Sequence, residues 1–221
     1  MTKMKKNVTE IVFVLDKSGS MAGLETDTIG GFNSLLTKQK KAEGEAFVTT
    51  VLFNHHYAVL HDRINVRGIS SMDEKDYEVG GTTALLDAIG FSIQKIVNVQ
   101  KHTSKEQQAD KVLFIITTDG MENASREYSQ TKIKKMIHHQ KEKYGWDFIF
   151  LGANIDAITT AAQVGIDEDF AVDYHADSSG TKLNYESVSE AVITLRSGKE
   201  IDRSWKKGIE RDYERRSQKK N

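Results

Sequence analysis

Apolar positions along the chain follow two patterns, short unbroken runs and stripes at helical spacing. Residues 9–15 (TEIVFVL) and 111–118 (KVLFIITT) are continuous β-branched and aromatic runs, the habit of strands buried on both faces of a parallel sheet. Residues 46–53 (AFVTTVLF) and 57–62 (YAVLHD) are two more such runs, joined only by Asn54, His55 and His56. That joint is too short for a parallel crossover, so the third strand is expected to be antiparallel. Further strands are predicted over 148–151 and 170–174.

Between these runs the period becomes helical. Leu24, Thr28, Phe32, Leu35 and Leu36 predict a helix over 24–39, whose middle the Gly30-Gly31 pair is expected to loosen. Leu85, Leu86, Ile89, Ile93, Ile96 and Val97 form the clearest stripe in the chain. Helices over 131–143, with Ile133, Met136 and Ile137 inward, over 155–164, and over 184–196, with Val188, Ala191, Val192 and Leu195 inward, complete the pattern. Alternating strands and helices predict an α/β, doubly wound, three-layer Rossmann-like fold. Its mostly parallel central sheet has about six strands and one antiparallel edge strand, and ligands bind at the carboxyl ends of the strands near a switch in strand order. Residues 1–198 read as one domain. Residues 199–221, where Lys and Arg interleave with Asp and Glu, read as a charged, solvent-facing tail or helix.

Composition narrows the chemistry. A net charge of −1, with no long single-sign run, gives no field to attract a polyanion, so no nucleic-acid partner is expected. The absence of cysteine removes disulfides and thiolate metal sites together. The start, MTKMKKNVTE, is basic and then polar, and no run of about 18 apolar residues occurs later, so a soluble, cytoplasmic protein without membrane contact is expected.

Asp16, Ser18 and Ser20 follow the first strand within five positions, Thr82 and Thr83 follow Gly80-Gly81, and Asp119 ends the 111–118 run. Polar residues at strand ends converge in a sheet of this type, so these can meet. A hydrolase or phosphotransferase using Mg²⁺ and Asp16 as nucleophile wants a second carboxylate two residues on, where Ser18 stands, and no phosphate loop is present. A serine hydrolase would need a G-x-S-x-G elbow, which Gly19-Ser20-Met21 does not supply. A hard divalent cation fits the residue types better, since it takes oxygen ligands and keeps several waters. The hydroxyls of Ser18, Ser20 and a threonine would bind it directly, while Asp16 and Asp119 would orient coordinated waters. Neutral hydroxyls leave the ion's charge largely uncompensated, so an outside carboxylate is drawn to an open position.

This set resembles the metal-ion-dependent adhesion site of the von Willebrand factor type A family, whose pattern is D-x-S-x-S, then a threonine, then an aspartate. Asp16-Lys17-Ser18-Gly19-Ser20 matches the first part and Asp119 the last. Thr83 is favoured over Thr82 because it directly precedes ALLDAIG, as the threonine does in the bacterial members this chain looks like. The resemblance covers residues 7–196. A close resemblance is to uncharacterised single-domain bacterial and phage-type members, which have segments similar to TIGGFNSLL and TTDGMENASREY.

The resemblance implies a non-enzymatic, metal-dependent protein-binding module. Asp16, Ser18, Ser20, Thr83 and Asp119 would form the metal site. The cation would be Mg²⁺, or Mn²⁺ or Ca²⁺ in its place, and the partner would be a protein offering an Asp or Glu carboxylate. Two other functions stay open: the Asp16 hydrolase or phosphotransferase, and a scaffold subunit of a larger ATPase-associated assembly. Asn54, Glu122, Asn123 and Asn154 stand near predicted strand ends, as rim residues for a partner or as solvated loop. The adjacent pairs His55-His56 and His138-His139 lack the i, i+4 spacing of a helical zinc site.

Overall fold

A computed structural model describes residues 7–218 of the protein. In chain order the elements are β1 (Val8–Asp16), α1 (Glu25–Lys41), β2 (Glu45–Phe53), β3 (Tyr57–Asn65), α2 (Leu85–His102), β4 (Lys111–Thr118), α3 (Gln130–Tyr144), β5 (Asp147–Ala153), α4 (Ala157–Val164), β6 (Ala171–Tyr174), α5 (Ser178–Arg196) and α6 (Lys207–Ser217). The strands form one sheet in the order β3-β2-β1-β4-β5-β6. Every pairing is parallel except β2 with β3, so the antiparallel strand lies at the edge.

All nine residues of β1 are buried. Ile11, Phe13 and Leu15 face a cluster that includes Phe32 and Leu35 of α1, Val188 and Val192 of α5 and Ile209 of α6. Val12 and Val14 face a second cluster with Ile89 of α2, Ile133 of α3 and Ala157 of α4. A strand apolar on both faces is needed wherever helices cover both sides of a sheet, which accounts for the unbroken 9–15 run. The chain moves outward from β1 to β2 and β3, then returns to place β4 on the other side of β1. The order of the sheet therefore switches between β1 and β4, and the carboxyl ends of these two strands are where sheets of this type bind ligands.

Three local expectations are corrected. The Gly30-Gly31 pair does not loosen α1, which runs unbroken from Glu25 to Lys41. A methyl on Gly31 would lie 2.2 Å from Cδ2 of Tyr185, so this glycine is the notch that lets α5 pack its tyrosine ring on α1. Helix α5 starts six residues earlier than its apolar stripe, because Asp177 caps it by accepting the Gly180 N–H at 2.9 Å, and the SSGT turn after the cap carries no apolar signal. Finally, the segment after 198 is not merely solvated. Ile201, Lys206 and Ile209 are buried, with Ile201 and Ile209 in the α1/α5 cluster. The Lys206 Nζ donates to the carbonyls of Glu168 at 2.6 Å and Ala171 at 2.8 Å, covering the end of the edge strand β6. Two isoleucines eight positions apart among charges give too sparse a stripe to signal that contact. No helix among the described residues is long and apolar enough to cross a membrane.

Candidate functional site

The parallel pairing sets Leu15 of β1 beside Thr117 of β4, which brings the next residues, Asp16 and Thr118, together. Asp16 is buried and both its carboxylate oxygens are engaged. Oδ1 accepts the Ser18 N–H at 2.7 Å, and Oδ2 accepts the Thr118 hydroxyl at 2.6 Å. The Tyr77 hydroxyl donates to the Asp16 backbone carbonyl from below. Past the strand, Gly19–Met21 form a short 3-10 turn that buries Met21 and leaves Ser20 exposed. The turn sets the Ser18 and Ser20 hydroxyls 3.1 Å apart, and Ser20 Oγ donates to Asp119 Oδ1 at 2.5 Å.

Thr83 arrives from the loop before α2. Its side chain is buried, whereas that of Thr82 is exposed. Gly120 shows how closely the hydroxyls gather. A methyl there would lie 2.9 Å from Ser20 Oγ, 3.1 Å from Thr83 Oγ1 and 3.8 Å from Ser18 Oγ, so a side chain at position 120 would fill the space these three oxygens share. Three loops are laced together beneath them. Lys17 N–H donates to the Phe53 carbonyl at 2.7 Å, Gly80 N–H to the Lys17 carbonyl at 2.9 Å, and Gly19 N–H to the Gly81 carbonyl at 2.9 Å. The Asn54 side chain donates to the Gly80 carbonyl at 2.7 Å, and Asn54 accepts the Ala84 N–H on its own carbonyl at 2.8 Å.

Asp119 is almost fully buried, and its Oδ2 has no hydrogen-bond partner among the described residues. Burial pushes its carboxyl above the usual range, the negative charge of Asp16 adds to the rise, and the Ser20 hydrogen bond opposes it. Burial likewise raises Asp16, against the bonds from Thr118 and Ser18. Two carboxylates are therefore held out of water close to each other, with no Lys or Arg among the causes acting on either. That arrangement accommodates a cation.

The other polar candidates fall elsewhere. Asn123 accepts the Thr83 N–H at 3.0 Å and returns its own N–H to the Thr83 carbonyl at 3.0 Å, so it positions the threonine. Glu122 accepts the N–H groups of Leu86, Ala124 and Ser125, pinning the loop after β4 to the start of α2. Asn54 laces loops, and Asn154 is exposed at the end of β5 with a positive φ of 54°. The His55 and His56 rings lie against each other, tilted by 49°, at the β2–β3 turn, and His138 and His139 lie exposed on α3. Among the described residues no group of three or more His, Cys, Asp or Glu could hold a metal ion. Thr118 and Tyr77 were not anticipated. The threonine is indistinguishable from strand composition, although its place before Asp119 was a usable signal, and the tyrosine sits in a polar stretch with no period.

No protein-family model and no curated protein sequence matches the chain. Its fold is shared with solved von Willebrand factor type A domains. It superposes on the vWF domain of the type V pili tip protein Mfa5 from Porphyromonas gingivalis with a TM-score of 0.60 at 10% identity, over 86% of this chain and 96% of that one. A von Willebrand factor type A protein from Catenulispora acidiphila gives 0.55 at 13% identity, over 85% and 43%. Proximal thread matrix protein 1 from the mussel byssus, solved with a zinc-occupied MIDAS motif, gives 0.57 at 14%, over 84% and 48%. The chain spans 63% or less of the length of several solved chains of this fold. The six-strand mixed sheet with its antiparallel edge and flanking helices is a three-layer α/β von Willebrand factor type A fold.

Proposed function

We propose that the protein is a metal-dependent protein-binding module. Ser18, Ser20 and Thr83 would hold a divalent cation, Mg²⁺ with Mn²⁺ or Ca²⁺ as substitutes, and Asp16 and Asp119 would orient its waters. The captured group would be an Asp or Glu carboxylate of a partner protein. The observation that carries this reading is the gathering of three hydroxyls beside Gly120 at the β1/β4 switch, one of them bonded to the buried Asp119, whose Oδ2 has no partner among the described residues. An orphaned carboxylate oxygen beside neutral hydroxyls suits a hard cation, which takes oxygen ligands and keeps waters for second-shell carboxylates to hold. When bound, such an ion supplies a positive charge that hydroxyls do not neutralise, open to an outside acid. The zinc-occupied MIDAS motif of the mussel protein supports metal use by a site on this fold.

The chain's own residues divide the work. Thr118 and the Ser18 N–H fix Asp16, each bonding one of its oxygens, so the carboxylate is held in one orientation. Asn123 fixes the backbone of Thr83, and Gly120 keeps a side chain out of the space beside the three hydroxyls. The test is thermal unfolding with and without Mg²⁺, paired with partner capture in Mg²⁺ and in EDTA. At a hundredfold excess over Kd a cation stabilises the native state by about 2.7 kcal/mol. The wild type should gain melting temperature while Asp119→Ala gains none. An equal gain in both, or capture unchanged by EDTA, would sink the proposal.

A further inference from the structure

We infer that Met121 selects partners, so that the preferred ligand is an extended segment carrying an acidic residue and, two positions away, an apolar one. This rests on the metal-bridged reading above and narrows it. Met121 is 75% exposed, the most exposed large apolar side chain among the described residues, ahead of Tyr144 at 54%. It immediately follows Gly120, whose Cα faces the Ser18, Ser20 and Thr83 hydroxyls.

Its backbone is held from both sides. The Thr118 hydroxyl, whose proton goes to Asp16, accepts the Gly120 N–H at 3.3 Å. On the other side Glu122 takes three N–H groups, and Asn123 exchanges hydrogen bonds with Thr83. The loop thus projects the thioether outward from a fixed base, while the fold makes no use of the side chain. The exposed residues Gly19, Ser20, Gly81 and Thr82 are small and the exposed His55 ring against Gly81 is polar, so Met121 brings an apolar side chain to a polar rim. An unbranched, polarizable side chain in that position adapts to many apolar shapes.

Spacing fixes the pattern. Met121 is one residue step from Gly120, about 3.8 Å between Cα atoms, and its side chain extends further from the hydroxyls. In an extended ligand neighbouring side chains point to opposite faces, whereas residues two apart share a face about 6.8 Å apart. A carboxylate over the hydroxyls therefore brings the side chain two positions before or after it toward Met121, and an apolar one gains by covering the thioether.

Selection from a library of random displayed peptides, bound in Mg²⁺ and eluted with EDTA, tests this. The wild type should enrich Asp or Glu with Leu, Ile, Met or Phe two positions away. Met121→Lys, a change at a solvent-facing site, should keep the acid and lose the apolar preference. A selected peptide should bind that variant weaker by on the order of tenfold, as burying one apolar side chain implies. Enrichment of an acid with no apolar position, or an apolar preference that survives Met121→Lys, overturns the role of Met121 and leaves the metal bridge standing. No EDTA-dependent enrichment above that of Asp119→Ala overturns the metal bridge, and this inference falls with it.

Discussion

The Thr118 hydroxyl donates to Asp16 Oδ2 at 2.6 Å, linking residues 102 positions apart across the β1/β4 switch. Thr118→Val keeps the shape and deletes the donor, leaving a buried carboxylate oxygen unpartnered. A loss of about 1–3 kcal/mol is expected in urea unfolding. On the reading proposed above, Mg²⁺ binding should weaken too, because Asp16 loses its orientation.

Glu10 lies near the start of β1, fully buried, with Arg63 donating to it at 3.0 Å and Thr49 at 3.3 Å. Burial outweighs these partners and raises its carboxyl above the model-peptide value of 4.5. The native state therefore binds the proton more tightly than the unfolded chain, and stability falls as pH rises from 4.5 through the native pKa. Glu10→Gln removes this contribution. The stability of the variant relative to wild type should climb across that window and level off above it, as measured by urea unfolding at a series of pH values. A difference independent of pH would show that Glu10 does not titrate this way.

The two neighbouring glycines of α1 should respond with opposite signs. Gly31→Ala drives a methyl to 2.2 Å from the Tyr185 ring, and overpacking of that kind costs about 1–3 kcal/mol. Gly30 has no heavy atom within 4 Å of such a methyl, so Gly30→Ala should gain about 1 kcal/mol from helix propensity alone. Melting curves of the two variants distinguish a packing notch from a flexible joint.

Lys206 is 2% exposed and bonds two backbone carbonyls beside β6, with Glu210 at 3.2 Å. Lys206→Met leaves those carbonyls without their donor, at a cost of about 1–3 kcal/mol. Faster amide exchange confined to α6 and β6 should accompany it.

These contacts show what a linear reading can and cannot supply. β1 and β4 were legible because strands covered on both faces must be apolar at every position, and β3 because three residues cannot cross over a sheet. Thr83 was separable from Thr82 only by resemblance; the structure separates their surroundings, one buried beside two serine hydroxyls and the other exposed. Tyr77 was invisible, since a single tyrosine in a polar loop has no periodicity to report that its hydroxyl reaches the end of β1. Glu122 and Asn123 read as partner rim or solvated loop because polarity near a strand end does not distinguish a group that faces solvent from one that takes backbone N–H groups. The docking of α6 was hidden by its charges: Ile209 is its one buried residue, and Arg216, which reads as a solvated charge, pairs with Asp177 at the start of α5.

The lacing of the loops after β1, after β2 and before α2 also governs how the chain can vary in length. Phe53, Lys17, Gly80, Gly81, Gly19 and Asn54 share one set of backbone and amide bonds, so a residue inserted in any of these loops must be absorbed by the other two. The connection over 154–156, after β5, shares none of those bonds among the described residues. It opens at the same end of the sheet as the hydroxyl cluster. New segments grafted there would sit next to the site without passing strain into it, which makes that connection the natural place for the surface to diversify.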